Sequence, residues 1–214
     1  MLGIAIGRTA LGRSLRNTAI AIAGVTGCVV ALRFYPDRAP SNAVSLATAY
    51  LSLLCLTGAL VIGPFQVLAG RRPSLSSNLR RDLGIWTAIF ALVHVAFGLF
   101  VHMGGKIAQY FFRPLHAGAM PIPRIDAFGL ANDVGLVATC ILIMLLAISS
   151  NRALRMLGPQ RWKALQRWSY AATAATALHA AIYQLLDRRD WPFVTACWIL
   201  FGVMLAIQYA ARRK

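Results

Sequence analysis

The sequence predicts an all-α integral membrane protein, a single domain over residues 1–214 that forms a bundle of about six transmembrane helices with both termini cytoplasmic. Two observations carry that prediction. Apolar residues make up 58% of the chain and charged residues only 13%. Stretches of about twenty residues nearly free of charge recur along it, the length needed to cross about 30 Å of hydrocarbon. The basic residues, moreover, gather in alternate connections between those stretches. Spans of this length take up more than half of the 214 residues and leave little for a soluble catalytic domain.

The spans read, in order, near Thr18 to Leu32, Val44 to Leu68, Leu83 to Met103, Phe128 to Ile148, Trp168 to Leu186 and Phe193 to Ala210. The first is short, and Val25-Thr26-Gly27-Cys28 within it resembles a lipoprotein cleavage site. The apolar run continues past Cys28 as Val29-Val30-Ala31-Leu32, where a processed lipoprotein turns polar, so an uncleaved span is expected. The remaining cysteines, Cys55, Cys140 and Cys197, also lie in apolar runs without CxxC spacing and read as small packing residues.

Orientation follows from the charges. The N-terminus, the connections after the second and fourth spans and the C-terminus hold fifteen of the 22 Lys and Arg; the other side holds seven. The positive-inside rule places the richer side in the cytoplasm. The formal charge of +16 thereby finds a topological explanation, and no nucleic-acid partner is expected. All six acidic residues are Asp, which leaves little material for a carboxylate proton path or a di-metal helix motif. The longest outer connection, Gly104 to Ala127, carries Pro114, Pro121 and Pro123 and is too irregular to lie in lipid; it is expected to fold over the outer mouth of the bundle.

Four histidines remain to be explained. His94 lies in the third span and His179 in the fifth, where an ionisable group is costly unless partnered. Each stands eleven residues past the cytoplasmic entry of its helix, at Leu83 and Trp168, or about 16 Å at 1.5 Å per residue. Two level imidazoles on parallel helices are what axial ligation of a haem iron requires. The plainer alternative is that each bonds a neighbouring Ser, Thr or carbonyl and only ties helices together. His102, two turns beyond His94, reads either as a contact to a haem edge or alternate ligand, or as an interfacial histidine facing water and head groups. His116, in the outer loop, reads as solvated.

Arg80-Arg81-Asp82-Leu83-Gly84-Ile85-Trp86 followed by His94 resembles the Arg-Arg-x-Leu-Gly…His signature of the ferric reductase-like transmembrane domain family, especially its bacterial branch of haem subunits of periplasmic methionine sulfoxide reductase. Ser150-Asn151, Leu157-Gly158, Trp162-Lys163, Leu165-Gln166-Arg167, Tyr170 and Leu178-His179 resemble a second stretch of that branch, so the likeness runs from about Pro64 to Arg189. It implies a six-helix bundle that binds haem b and moves electrons across the membrane as part of an oxidoreductase, with His94 and His179 matching family iron ligands. The family's further histidine, thirteen residues before the one on the fifth span, is Gln166 here, a poor iron ligand, so one haem is expected.

The resemblance also implies a separate electron donor, a cytoplasmic flavoprotein or a membrane quinol, because no flavin or nicotinamide domain follows Ala210, and an outer acceptor such as a ferric chelate or a periplasmic redox partner. Arg81 and Arg167 are the cytoplasmic cations nearest the motifs. They have two readings, as contacts to haem propionates or a flavin phosphate, and as ordinary topology and anionic-lipid charges. The competing function is a redox-silent scaffold, assembly factor or small transporter with structural histidines.

Overall fold

The computed structural model describes residues 2–36, 39–71, 78–113 and 120–214. Helix α1 (Leu2–Phe34) is followed by α2 (Pro40–Leu68), which starts on a proline whose fixed φ suits a first turn, and by α3 (Asn78–Val101). Beyond a short α4 (Ala108–Phe111) and the two-residue strands β1 (Phe112–Arg113) and β2 (Ile122–Pro123) come α5 (Ala127–Ala147), α6 (Asn151–Gln166), α7 (Trp168–Leu186) and α8 (Trp191–Arg212).

Five of these, α1 from Leu11 onward, α2, α3, α5 and α8, are long and apolar enough to cross a membrane. Helix α7 is the sixth long member of the bundle. Its 19 residues match the expected bounds, but Ser169, Thr173, Thr176, His179, Tyr183 and Gln184 dilute its apolar character. Helix α1 begins sixteen residues before the expected span because the stretch that carries Arg8, Arg13 and Arg16 continues the same helix. All four cysteines are free; Cys55 and Cys197 are buried as packing residues, Cys28 is half-buried, and Cys140 is exposed, contrary to its reading as a packing residue.

The connection read as a cytoplasmic loop between the fourth and fifth spans is itself helical. Helix α6 starts at Ser150, whose hydroxyl accepts from the Ala153 N–H at 3.0 Å, and breaks at Gly158–Pro159, where Gly158 takes a φ of 73°. No residue of α6 is buried, and the Trp162 indole donates to the Ile148 carbonyl at 3.0 Å, laying the helix against the end of α5.

At the opposite end, the described part of the long connection forms a cap. Tyr110 is buried; its hydroxyl donates to the Gly98 carbonyl at 2.9 Å and accepts from the His102 N–H at 3.2 Å, closing the end of α3. Arg124 donates to the Gln109 carbonyl at 2.7 Å and lies 4.7 Å over the Phe128 ring. Asp126 caps α5, accepting from the Gly129 N–H at 2.7 Å. That bond, with the Arg113 and Arg124 guanidinia beside it, holds the Asp126 carboxyl down at about 2. His116 and Pro114 lie outside the described residues.

The packing of the bundle sets up the site. Helices α2 and α3 lie together along much of their length, as do α5 and α7, and α3 touches α5 between the two pairs. Small residues allow the approach: Ala88, Ala131 and Ala172 are almost fully buried.

Candidate functional site

The structure brings His94 of α3 and His179 of α7 face to face across the bundle, with ring centres 6.1 Å apart and planes at 82°. Each ring is fixed by its Nδ1. That of His94 lies 2.9 Å from the Ser45 carbonyl and 3.0 Å from the Ser45 hydroxyl, and the same hydroxyl donates to the His94 carbonyl at 3.3 Å. That of His179 lies 2.8 Å from the Ala131 carbonyl. A carbonyl oxygen can only accept, so each Nδ1 carries the proton and each Nε2 keeps its lone pair. An N–H to a backbone carbonyl on the far side of the ring is the usual support of a metal-ligating histidine.

The spacing fits a metal between the two rings. An ion bonded to both Nε2 atoms at about 2 Å, with about 1 Å more from each nitrogen to its ring centre, holds the ring centres about 6 Å apart. The histidines line a cavity of about 260 Å³ whose middle is apolar, with Leu46, Val95, Leu99, Leu136 and Ala138 on its walls. Neutral imidazole donors in an apolar chamber suit haem iron. Among the described residues no cluster of three or more His, Cys or Asp that would hold a bare metal ion is found.

Close helix approach makes room for His179. A Cβ on Gly135 would lie 2.6 Å from His179 Nδ1 and 2.8 Å from its Cε1, so only glycine at 135 lets the imidazole lie flat on α5 and reach Ala131 one turn away. Gly135→Ala is therefore expected to displace the ring and to weaken haem binding by about 10–100-fold, the range seen when the support of a metal ligand is lost. Haem titration of the purified variant checks this, with far-UV circular dichroism to verify the helices; unchanged affinity would show that the ring does not need this room.

Tyr183, one turn beyond His179, packs its ring 4.9 Å from the imidazole and donates to Asn132 at 2.8 Å. His102 stacks on Tyr183 at 5.8 Å, meets Phe128 edge-on at 5.5 Å and places Nε2 4.0 Å from Asp187. It therefore lines the cap end of the same cavity, beside Tyr183.

The two arginines singled out in the sequence do not join the histidines. Arg81 donates to Asn151 at 2.6 Å and lines a separate, smaller cavity of about 70 Å³ at the α6 end, together with Arg80, Trp162 and Gln166. Arg167 is exposed at the junction of α6 and α7 and lines neither cavity. Residues that sequence reasoning passed over are Ser45, Ala131, Gly135 and Tyr183. Backbone carbonyls carry no sequence signal, but Gly135 sits in a small-xxx-small run, Ala131-xxx-Gly135-xxx-Thr139, that marks close helix approach.

Comparison with known proteins agrees with the geometry. The family described as ferric reductase like transmembrane component matches residues 45–178, starting at the serine that holds His94 and ending one residue before His179. The chain is also similar to the protein-methionine-sulfoxide reductase heme-binding subunit MsrQ of Ralstonia nicotianae, at 28% identity over 172 residues, which cover 77% of this chain and 68% of that protein. The chain thus belongs to the ferric reductase like transmembrane component family and is a multi-pass membrane component of electron transfer.

Proposed function

We propose that this chain is the haem-bearing subunit of a bacterial inner-membrane electron-transfer system, with α7 as a sixth crossing and both termini cytoplasmic. In this reading His94 and His179 hold one b-type haem through their Nε2 atoms. The observation that carries it is the pair of level imidazoles, 6.1 Å apart, each with its Nδ1 proton engaged by a backbone carbonyl. Haem b, when bound, supplies a one-electron ferric/ferrous couple. The polypeptide holds the axial donors, keeps water out with the apolar walls of the cavity and thereby sets the potential.

The direction of transfer is from a cytoplasmic flavoprotein or membrane quinol to an acceptor outside, a ferric chelate or a periplasmic redox partner. The name of the Ralstonia relative makes it a heme-binding subunit of a methionine sulfoxide reductase, which favours the protein partner. Helix α6, with Arg152, Arg155, Arg161 and Lys163, faces the cytoplasmic leaflet and its anionic lipid.

The smaller cavity does not suit a second haem. Arg80 and Gln166 line it, fourteen residues before His94 and thirteen before His179, so a guanidinium and an amide stand where a lower pair of imidazoles would be needed. The test is a reduced-minus-oxidised spectrum and haem count on the protein purified in detergent after haem-replete expression. Sharp b-type bands and one haem per chain are expected; absence of the bands would overturn the cytochrome reading in favour of a redox-silent scaffold. Gln166→His is expected to leave the count at one, because the new imidazole shares its cavity with Arg80. A count rising toward two would assign the limit to residue 166 alone.

A further inference from the structure

The larger cavity differs in character at its two ends. Toward α6 it is lined by Leu53, Ala138 and Leu142 with the hydroxyl residues Ser52, Thr139 and Thr176, none of them charged; at the cap end it is lined by Asn42, Tyr110, His102, Gln184, Asp187 and Arg189. Among the described residues Arg189 is the one Lys or Arg in these walls. Its side chain is 13% exposed, and Asp187 accepts from it at 2.7 Å. The backbone turns to bring it there. Helix α7 ends with Asp187 as C-cap, Arg188 takes a φ of 45°, and the Arg189 N–H donates to the Gln184 carbonyl at 3.1 Å. This is the helix-ending turn in which glycine usually holds the left-handed position. A bulky residue there costs about 1 kcal/mol, and its effect is to fold the chain back so that Arg189 faces the cavity.

An amphipathic ligand entering this chamber must place its acid groups at the cap end, because an uncompensated carboxylate in the apolar middle is costly. Asp187 lies eight residues beyond His179, about 12 Å along the helix, and Arg189 lines the same cavity as His179. Among the described residues Asp187 engages one of the guanidinium's five N–H donors, and the others can serve a second carboxylate.

We propose that Arg189 is the anchor for a carboxylate of the bound porphyrin, which fixes the macrocycle with its propionate edge toward the cap. This rests on the haem reading above. It is tested with the full chain in detergent, loaded either with haem b or with its dimethyl ester, which lacks the acid groups, by following loss of each to excess apomyoglobin. The ester is expected to leave the unmutated protein about tenfold faster than haem, the scale of one charge-assisted bond. In Arg189→Gln both should leave at the same, faster rate, whereas Arg189→Lys keeps most of the difference. The midpoint potential of Arg189→Gln should fall, because removing a cation favours the ferric form.

Equal rates for haem and ester in the unmutated protein, or haem loss from Arg189→Gln no faster than from it, would overturn the anchor while leaving the histidine ligation standing. A chain that takes up neither porphyrin would instead overturn the haem reading itself.

Discussion

Removing either intramembrane imidazole, by His179→Ala or His94→Ala, is expected to abolish the b-type haem bands, with a loss of affinity greater than about 100-fold, beyond what losing a ligand's supporting hydrogen bond produces. Each histidine supplies one of the two Nε2 donors, and among the described residues the structure offers no third imidazole at that depth. His102 is the informative control. Its ring lies on Tyr183 and Phe128 near the cap, two turns from His94, so His102→Ala should keep the bands even if their position shifts. His116→Ala should keep them as well. Full haem in both intramembrane variants would refute the ligand assignment, and loss in His102→Ala with retention in His94→Ala would transfer the role to residue 102.

The second large effect concerns stability at the other end of the bundle. Asp82, in the Arg80-Arg81-Asp82-Leu83-Gly84 stretch, is fully buried and accepts from Arg13 at 2.9 Å and Arg16 at 2.8 Å, two residues on α1. Only 6% of the apolar window of α1 is buried inside the protein, and besides this clamp the helix packs along α2, with Gly27 against Leu51. Its other ties to α3 are Trp86 donating to Asn17 at 3.1 Å and Gly24 lying under Phe90, where a Cβ would come within 2.7 Å of the ring.

Asp82→Ala therefore removes the carboxylate that the Arg13 and Arg16 guanidinia share. The arginines are 39% and 35% exposed and can regain water, so the cost falls below that of a fully buried broken pair, at about 2–3 kcal/mol. A lower thermal midpoint in detergent and earlier proteolysis of α1 check it. Because the clamp lies far from the histidines, the haem spectrum of folded Asp82→Ala should be unchanged. A variant with normal stability would show that α1 docks through lipid and packing alone.

These two predictions draw on different kinds of information. The long helices were legible because bilayer thickness imposes a length and an apolar content that any reader of the chain can count; α7 matches its expected bounds at both ends. The level placement of His94 and His179 was also legible, because the helical rise converts an equal count of eleven residues into equal depth. Helix α6 was missed, since its polar, interrupted sequence resembles a connection until Ser150 and Trp162 dock it against α5. The role of Asp82 was hidden for a similar reason. Its partners sit on α1, more than sixty residues away, and nothing in the motif around it points there.

Pattern along the chain thus sufficed for an all-helical membrane bundle and for two candidate iron ligands, because membrane depth and helix rise act on each segment separately. The facing of His94 and His179, the place of His102 beside Tyr183, the support of the rings by Ser45 and Ala131, the room left by Gly135 and the separation of Arg81 from the histidines rested on contacts between segments. Such contacts depend on how helices rotate and pack against one another, a property of the assembled bundle that no single stretch of residues contains.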